Sequence, residues 1–168
     1  MAPIKTQRLV LSPFEASDAG ALFSFMSISS AMAHTYVAPS LEHCSSRLKA
    51  YEDMRSTLGF APWVVRTQQE GSIVGWGGLS IDPEAPEWGL EVSYAFAPGS
   101  WGQGFGTELV QASLAHAFDI LQAPEVHAFA KPQNVGSVRV LEKNGFALLR
   151  YEPLLKRNHY LVAREGAA

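Results

Sequence analysis

Apolar positions along the chain change period several times, and each change marks an element. "QRLVLSPF" (7–14) alternates apolar and polar residues, the two-residue period of a half-buried strand. "EASDAGALFSFMSI" (15–28) then sets Ala19, Leu22, Phe23 and Met26 on one helical stripe. "AHTYVAPS" (33–40) has no period and predicts a loop carrying exposed polar and aromatic groups. Ser40 stands where it would cap a helix over 41–58, which carries Leu41, Cys44, Leu48, Tyr51 and Leu58. "FAPWVVRT" (60–67) and "SIVGWGGLSI" (72–81) predict two strands joined by a turn at "QQEG", and "EWGLEVSYAFA" (87–97) predicts another. The helical period returns over 103–122, with Val110, Leu114, Ala117, Phe118 and Leu121 on one face and Pro124 ending it. "VHAFAK" (126–131) predicts a strand, 133–144 a helix stopped by Gly145, and "FALLRYE" and "HYLVARE" two closing strands. About seven strands and about four helices in this order predict a mixed α/β domain. Its single twisted sheet is expected to be antiparallel through the first half, with helices on both faces. No repeat, linker or shift of composition divides the chain, so 1–168 is expected to form one domain.

Bulk properties narrow the function. A length of 168 residues supports one genuine core, and 47% hydrophobic with 17% charged residues argues against disorder. Net charge is −3 and no Lys/Arg run occurs, so no nucleic-acid partner is expected. No apolar stretch approaches a bilayer span and residues 1–25 lack a signal-peptide plan. The expectation is therefore a cytoplasmic protein without a membrane partner. Cys44 is the only cysteine, and beside His43 on a helix the two side chains point to different faces, which suits a bland thiol better than a nucleophile. The five histidines show no ligand spacing, so no metal is expected.

One stretch resists a purely structural reading. "SYAFAPGSWGQGFGTELVQASLAHAF" (93–118) holds Gly102, Gly104 and Gly106 at alternate positions, between a strand and a helix. Glycines in that number cost chain entropy on ordering. At a helix mouth they let an anion approach free backbone N–H groups under a favourable dipole, so a phosphate cradle is preferred to a flexible loop. A dinucleotide fingerprint would need its third glycine at 107, which is Thr107, and a Walker loop would need a Gly-Lys pair, which the chain lacks. A cradle of another type remains.

"WGQGFGTE" (101–108) resembles the R/Q-x-x-G-x-G/A motif of the GNAT superfamily of acetyl-CoA-dependent N-acetyltransferases. Trp101 replaces the first residue, as in the branch resembling the RimJ/RimL ribosomal-protein N-terminal acetyltransferases, which read "WGxGxxTE". "NVGSVRVLEKNGF" (134–146), "LEVSYAF" (90–96) and "TQRLVLSPFEASDA" (6–19) are similar to further motifs of that branch, in the same order. The resemblance covers nearly the whole chain. It implies the GNAT fold and acetyl-CoA as co-substrate, held by the amides of Gly102, Gly104, Phe105, Gly106 and Thr107 with help from Gln103. Trp101 is expected to pack, and the Thr107 hydroxyl either adds a bond or caps the helix. It further implies that the strand before the cradle splays from its neighbour and admits pantetheine as a pseudo-strand. There the Phe96 N–H would meet the thioester carbonyl, as an oxyanion hole does, while Pro98 ends the ladder. Asn134 would bond the pantetheine arm, or act as a plain helix cap.

Acetyl transfer needs a neutral amine and a proton for the departing thiolate. Glu91 aligns with the branch's strand carboxylate and is the candidate base, acting through water; a surface carboxylate is the competing reading and Glu87 the nearest substitute. Many family members carry a tyrosine acid where this chain has Val140 and Leu141, so that group is absent from its usual place. Ser137 is the candidate donor to sulfur, with a small packing residue as the alternative. His127, His159 and Lys143 are expected to be packed or on the surface. Residues 30–45 and 150–159 are expected to shape the acceptor pocket, with His34, Tyr36 and Tyr151 as walls. An α-amine is about 10% neutral at pH 7 and a lysine about 0.04%. The easier amine suits so sparse a site. The acceptor is thus expected to be a protein N-terminus or a small-molecule amine, and the protein a monomer or homodimer. The competing classes are an acetyl-CoA-binding sensor or interaction module without chemistry, and a generic nucleotide-phosphate protein.

Overall fold

The computed structural model describes residues 2–166. Its frame is one eight-stranded sheet: β1 (Ile4–Lys5), β2 (Leu9–Ser12), β3 (Trp63–Thr67), β4 (Ile73–Ser80), β5 (Glu91–Phe96), β6 (Glu125–Ala130), β7 (Ala147–Glu152) and β8 (Arg157–Ala163). The spatial order is β1-β2-β3-β4-β5-β6-β8-β7. Every neighbouring pair is antiparallel except β5–β6, which is parallel and joined at a single register position, Glu91 opposite His127. Two-residue β1 is the strand beyond the seven expected, too short to leave a period in the sequence.

Alternation along the central strands feeds a core on each face. Val64 and Trp76 join Leu22, Phe25, Met26, Cys44 and Leu48 beneath α1 (Ala19–Met26) and α2 (Leu41–Leu58). On the opposite face, Leu9, Leu11, Trp63 and Val65 meet Phe105 and Leu109 of α3 (Phe105–Ala115). Val92, Val126 and Ala128 pack there with Val110 and with Leu141 of α4 (Val135–Lys143). Gly77 lets α3 lie close to the sheet, because a Cβ there would stand 2.6 Å from Leu109 Cδ2 and 2.5 Å from Tyr94 Cβ. Cys44 is buried in this packing, and burial pushes its thiol pKa up, which suits an inert thiol.

Local signals explain the helix ends. Ser40 Oγ accepts the His43 N–H at 3.1 Å to open α2, and Gly59 closes it with φ +83°, a left-handed value natural to glycine. The helix expected over 103–122 is interrupted. Its α-helical part ends at Ala115, and His116–Ile120 form a wider π turn in which the Leu121 N–H reaches the His116 carbonyl at 3.0 Å. The wider turn resets the phase, keeping Ala117 fully buried with Phe118 and Leu121 packed beside it.

Candidate functional site

The cradle is built where the chain leaves β5. After Phe96 a short turn, Pro98–Ser100, steers the backbone away from the sheet toward α3. Gly104 caps α3 with φ +81° and makes no side-chain capping bond. The first helical bond belongs to Glu108, whose N–H reaches the Gly104 carbonyl at 3.1 Å. Phe105, Gly106 and Thr107 therefore present N–H groups that the helix itself does not use. Gly106 has a packing task as well: a Cβ there would stand 3.3 Å from Val140 Cγ2 on α4. Gln103, exposed, donates its side-chain amide to the Gly99 carbonyl at 2.9 Å and so braces the loop.

Arg8 ties this loop to β2, a role that sequence reading missed. Its Nη1 donates to the Gln103 carbonyl at 2.7 Å, its Nε to Glu108 Oε2 at 2.8 Å, and its backbone N–H to Glu108 Oε1 at 2.7 Å. The guanidinium also covers the Phe105 ring at 4.9 Å. Burial alone would raise the Glu108 pKa, but the bonds from Thr6 and Arg8 outweigh it and hold the carboxyl below its ordinary value. The signal for this clamp lay in two separate motifs, the opening "TQRL" and the "TE" at 107–108. Outside it runs a wide, open groove of about 1040 Å³ along α3, touching the cradle through Gly104 and Thr107 and holding Lys5 and Lys143.

Beside the cradle the sheet opens. With β5 and β6 joined at one position, the strands diverge toward Phe96. The Ala97 N–H donates to the Val74 carbonyl at 2.9 Å, so alternation turns the Phe96 N–H away from β4 and into the open seam. Trp101 bonds the same peptide stretch, its indole N–H donating to the Phe96 carbonyl at 2.8 Å while its ring stays 54% exposed. Left-handed Gly104, an uncapped first turn and an open seam between parallel strands suit a diphosphate followed by an extended pantetheine arm. The residues present thus fit coenzyme A.

On the α4 side of the seam, Tyr94 and Ser137 form a pair with hydroxyls 2.9 Å apart. Burial pushes the Tyr94 phenol up to about 12, against the opposing pull of the Ser137 bond. Either oxygen can donate in this pair, and in both arrangements the phenol fixes the position of the serine hydroxyl. Val140 and Leu141 stand where the family tyrosine was expected, and the hydroxyl that meets Ser137 is that of Tyr94 on β5. Sequence reading passed over it because strand alternation alone does not show which helix a side chain will meet. Asn134 caps α4, its Oδ1 accepting the Ser137 N–H at 3.2 Å, and it lines the cavity that adjoins the seam.

On the opposite side lies a cavity of about 440 Å³, lined by His34, Tyr36, Arg47, Tyr51, Glu91 and Arg157, and reaching Tyr94, Asn134 and Ser137. Glu91 opens β5 and is half-buried. Its pKa is raised, first by burial and then by Asp82, against the lowering effects of Ser80 and Arg157. Glu87, the substitute, is exposed on the turn before β5. Tyr151 stands on edge strand β7, 50% exposed and outside the cavity lining, so the structure does not bring it to the other expected walls. His127 on β6 and His159 on β8 pair inside the sheet, with His127 Nδ1 and His159 Nε2 2.8 Å apart and His159 buried against Phe129. Among the described residues no cluster is placed to hold a metal, and no helix is long and apolar enough to cross a membrane.

Known proteins give this geometry its family. Residues 8–147 match the acetyltransferase (GNAT) domain. YkkB of Bacillus subtilis is 30% identical over 52% of this chain and 51% of its own, so the chain spans about half of that relative. The N-acetyltransferase p20 of Bacillus licheniformis is 24% identical over 87% of this chain and 83% of its own. An acetyltransferase structure from Agrobacterium tumefaciens superposes with TM-score 0.84 at 23% identity, covering 98% and 95% of the two chains. A coenzyme A complex of RimL, the ribosomal L7/L12 α-N-protein acetyltransferase, superposes with TM-score 0.79 at 18% identity over 96% and 98%. The chain belongs to the GNAT family of acetyltransferases, the acyltransferases that draw their acetyl group from acetyl-CoA.

Proposed function

We propose that this protein transfers acetyl from acetyl-CoA directly to a primary amine, either a protein N-terminal α-amine or the amine of a small molecule, after the manner of the RimJ/RimL branch. One observation carries the reading: a carboxylate with a raised pKa, Glu91, and a hydroxyl pair, Tyr94–Ser137, line one cavity at the open seam of the sheet. Bound there, the thioester supplies an activated acyl group and a thiol leaving group. The Phe96 N–H faces the seam as donor to the carbonyl oxygen, where negative charge builds on attack. Glu91 takes a proton from the amine, directly or through water, and its raised pKa brings it closer to working pH than an ordinary carboxylate. Ser137 gives a proton or hydrogen bond to sulfur, and Tyr94 holds that hydroxyl in place. Asn134 bonds the arm through Nδ2. The amides of Gly102, Gly104, Phe105, Gly106 and Thr107 grip the diphosphate, with Gln103 and Arg8 keeping the loop in shape.

The competing sensor without chemistry would need no carboxylate or paired hydroxyls at the seam, so Glu91 and the Ser137–Tyr94 pair weigh against it. Thiol release from acetyl-CoA, measured with peptides bearing free N-termini, amino acids, polyamines and aminoglycosides, tests the proposal. Turnover with at least one amine is expected. Cofactor binding by calorimetry with no thiol release from any amine would refute catalysis, and protection by ATP but not by coenzyme A would refute the cofactor. A cytosolic setting and a metal-free mechanism accompany this reading.

A further inference from the structure

The acceptor side of the cavity has an unexpected charge. The chain is net acidic at −3, and a site for a purely cationic acceptor such as a polyamine would present several carboxylates. This cavity instead sets two guanidiniums, Arg47 and Arg157, around the one carboxylate Glu91. Neither arginine is in an ion pair among the described residues. Arg47 projects from α2 into an aromatic box, its guanidinium carbon 4.8 Å from the Tyr36 ring, 5.5 Å from Trp76 and 5.6 Å from Tyr51. Its Nε and Nη2 both donate to the Tyr51 hydroxyl, at 3.1 and 3.0 Å, which aims the fork and leaves Nη1 without a recorded partner. Arg157 opens β8, and its one recorded bond is a long one, Nη2 to the His34 carbonyl at 3.4 Å. It lies close enough to Glu91 for its charge to act on that carboxyl, yet forms no ion pair with it.

The Arg47 Nε and Nη2 satisfy the Tyr51 hydroxyl and the guanidinium plane packs on the rings, but Nη1 serves neither purpose, and a guanidinium kept only to neutralise Glu91 would sit on it. A planar fork held by aromatic faces with free N–H groups is the standard complement of a carboxylate. We infer that the acceptor carries a carboxylate close to its reacting amine, and that Arg47 and Arg157 bind that carboxylate while Glu91 faces the amine. The inference deepens the acetyl-transfer reading and rests on it. Two sources share this chemistry: a free amino acid, and a peptide whose first or second residue is acidic.

The test uses matched pairs on the full chain. Thiol release is measured with free amino acids against their amides, and with amidated peptides beginning in Asp or Glu against Asn or Gln, each KM expressed per neutral amine. Acids are expected to have KM at least about tenfold below their amides, the scale of one charge-assisted bond. Whether the free or the peptide arm shows the preference identifies the source. Arg157→Gln and Arg47→Gln should each lower the acid-over-amide preference about tenfold; should Arg47→Gln fold poorly, Arg157→Gln and Arg47→Lys carry the comparison. A second readout needs no turnover: calorimetry on coenzyme A-saturated protein should detect binding of an N-acetyl amino acid and not of its amide. Equal use of acids and amides, preference for polyamines or aminoglycosides, or unchanged preference in both arginine variants would overturn the inference. Absence of any thiol release would instead remove the acetyl-transfer reading, leaving the calorimetric comparison to decide the carboxylate.

Discussion

If Tyr94 works only by holding Ser137, its removal should matter only while Ser137 is present. The two hydroxyls are 2.9 Å apart, a good O–H···O bond, and the phenol is held near 12 by burial. The proposal gives the sulfur-facing hydroxyl to Ser137, which leaves orientation of that hydroxyl as the contribution of Tyr94. One neutral hydrogen bond is worth about 1 kcal/mol, or about fivefold in rate. Loss of the proton donor itself costs about a hundredfold or more. Tyr94→Phe should therefore lower kcat about fivefold and Ser137→Ala about a hundredfold, while the double variant matches Ser137→Ala alone. The coupling energy is then about 1 kcal/mol. The assay is thiol release at saturating acetyl-CoA for the four proteins, with melting temperatures confirming that each is folded. Factors that multiply in the double variant, or a fully active Ser137→Ala, would refute the relay.

Three further outcomes follow from the same geometry. Glu91→Gln should abolish the acid limb of the kcat/KM–pH profile, a limb whose midpoint in the parent lies above the ordinary carboxylate value; an unchanged profile would demote Glu91 to a structural residue. Because the folded-state pKa of Glu91 is raised, its contribution to stability is present below the unfolded pKa and lost as pH rises through the folded one. Glu91→Gln should thus raise the melting temperature at neutral pH and give no gain below about pH 4, and a uniform shift at every pH would contradict that sign. Gly104→Val forces a branched residue to φ +81°, costing about 1–2 kcal/mol, and places its Cβ 3.3 Å from Arg8 Nη2. Coenzyme A affinity should fall at least about tenfold, whereas Gly59→Val, equally strained at φ +83° but remote, should lower stability alone. Arg8→Met removes the bonds to Gln103 and Glu108, and calorimetry should show weaker coenzyme A binding in a protein that remains folded; unchanged affinity would mean that the cradle keeps its shape without the clamp.

Where one short-range rule decided an element, the sequence carried it. Residues 41–58 were opened by a capping serine and carried by helical spacing of apolar residues, and the helix runs Leu41–Leu58. The glycine-rich turn between β5 and α3 was legible for the same reason, and Gly102 and Gly104 take left-handed φ values of +74° and +81° there. Features set by meetings between distant segments were not. Tyr94 and Ser137 lie 43 positions apart and meet only because α4 docks on the β5 face. Arg8 reaches Glu108 across 100 positions, and nothing local in either motif shows the bond. The π turn at His116–Ile120 keeps a helical spacing of apolar residues, so periodicity alone extends the helix through it. Tyr151 was placed in the acceptor wall from its neighbourhood in sequence, but β7 pairs only with β8, at the sheet edge and away from the cavity.

Amide chemical shifts on titration with coenzyme A probe the backbone groups on which all of this chemistry depends. Saturable shifts are expected at Phe96, Gly104, Phe105, Gly106 and Thr107, and they should vanish in Gly104→Val. Saturable binding that leaves those five amides unmoved, with the perturbed resonances elsewhere in the chain, would contradict a site formed by this turn and the open seam beside it.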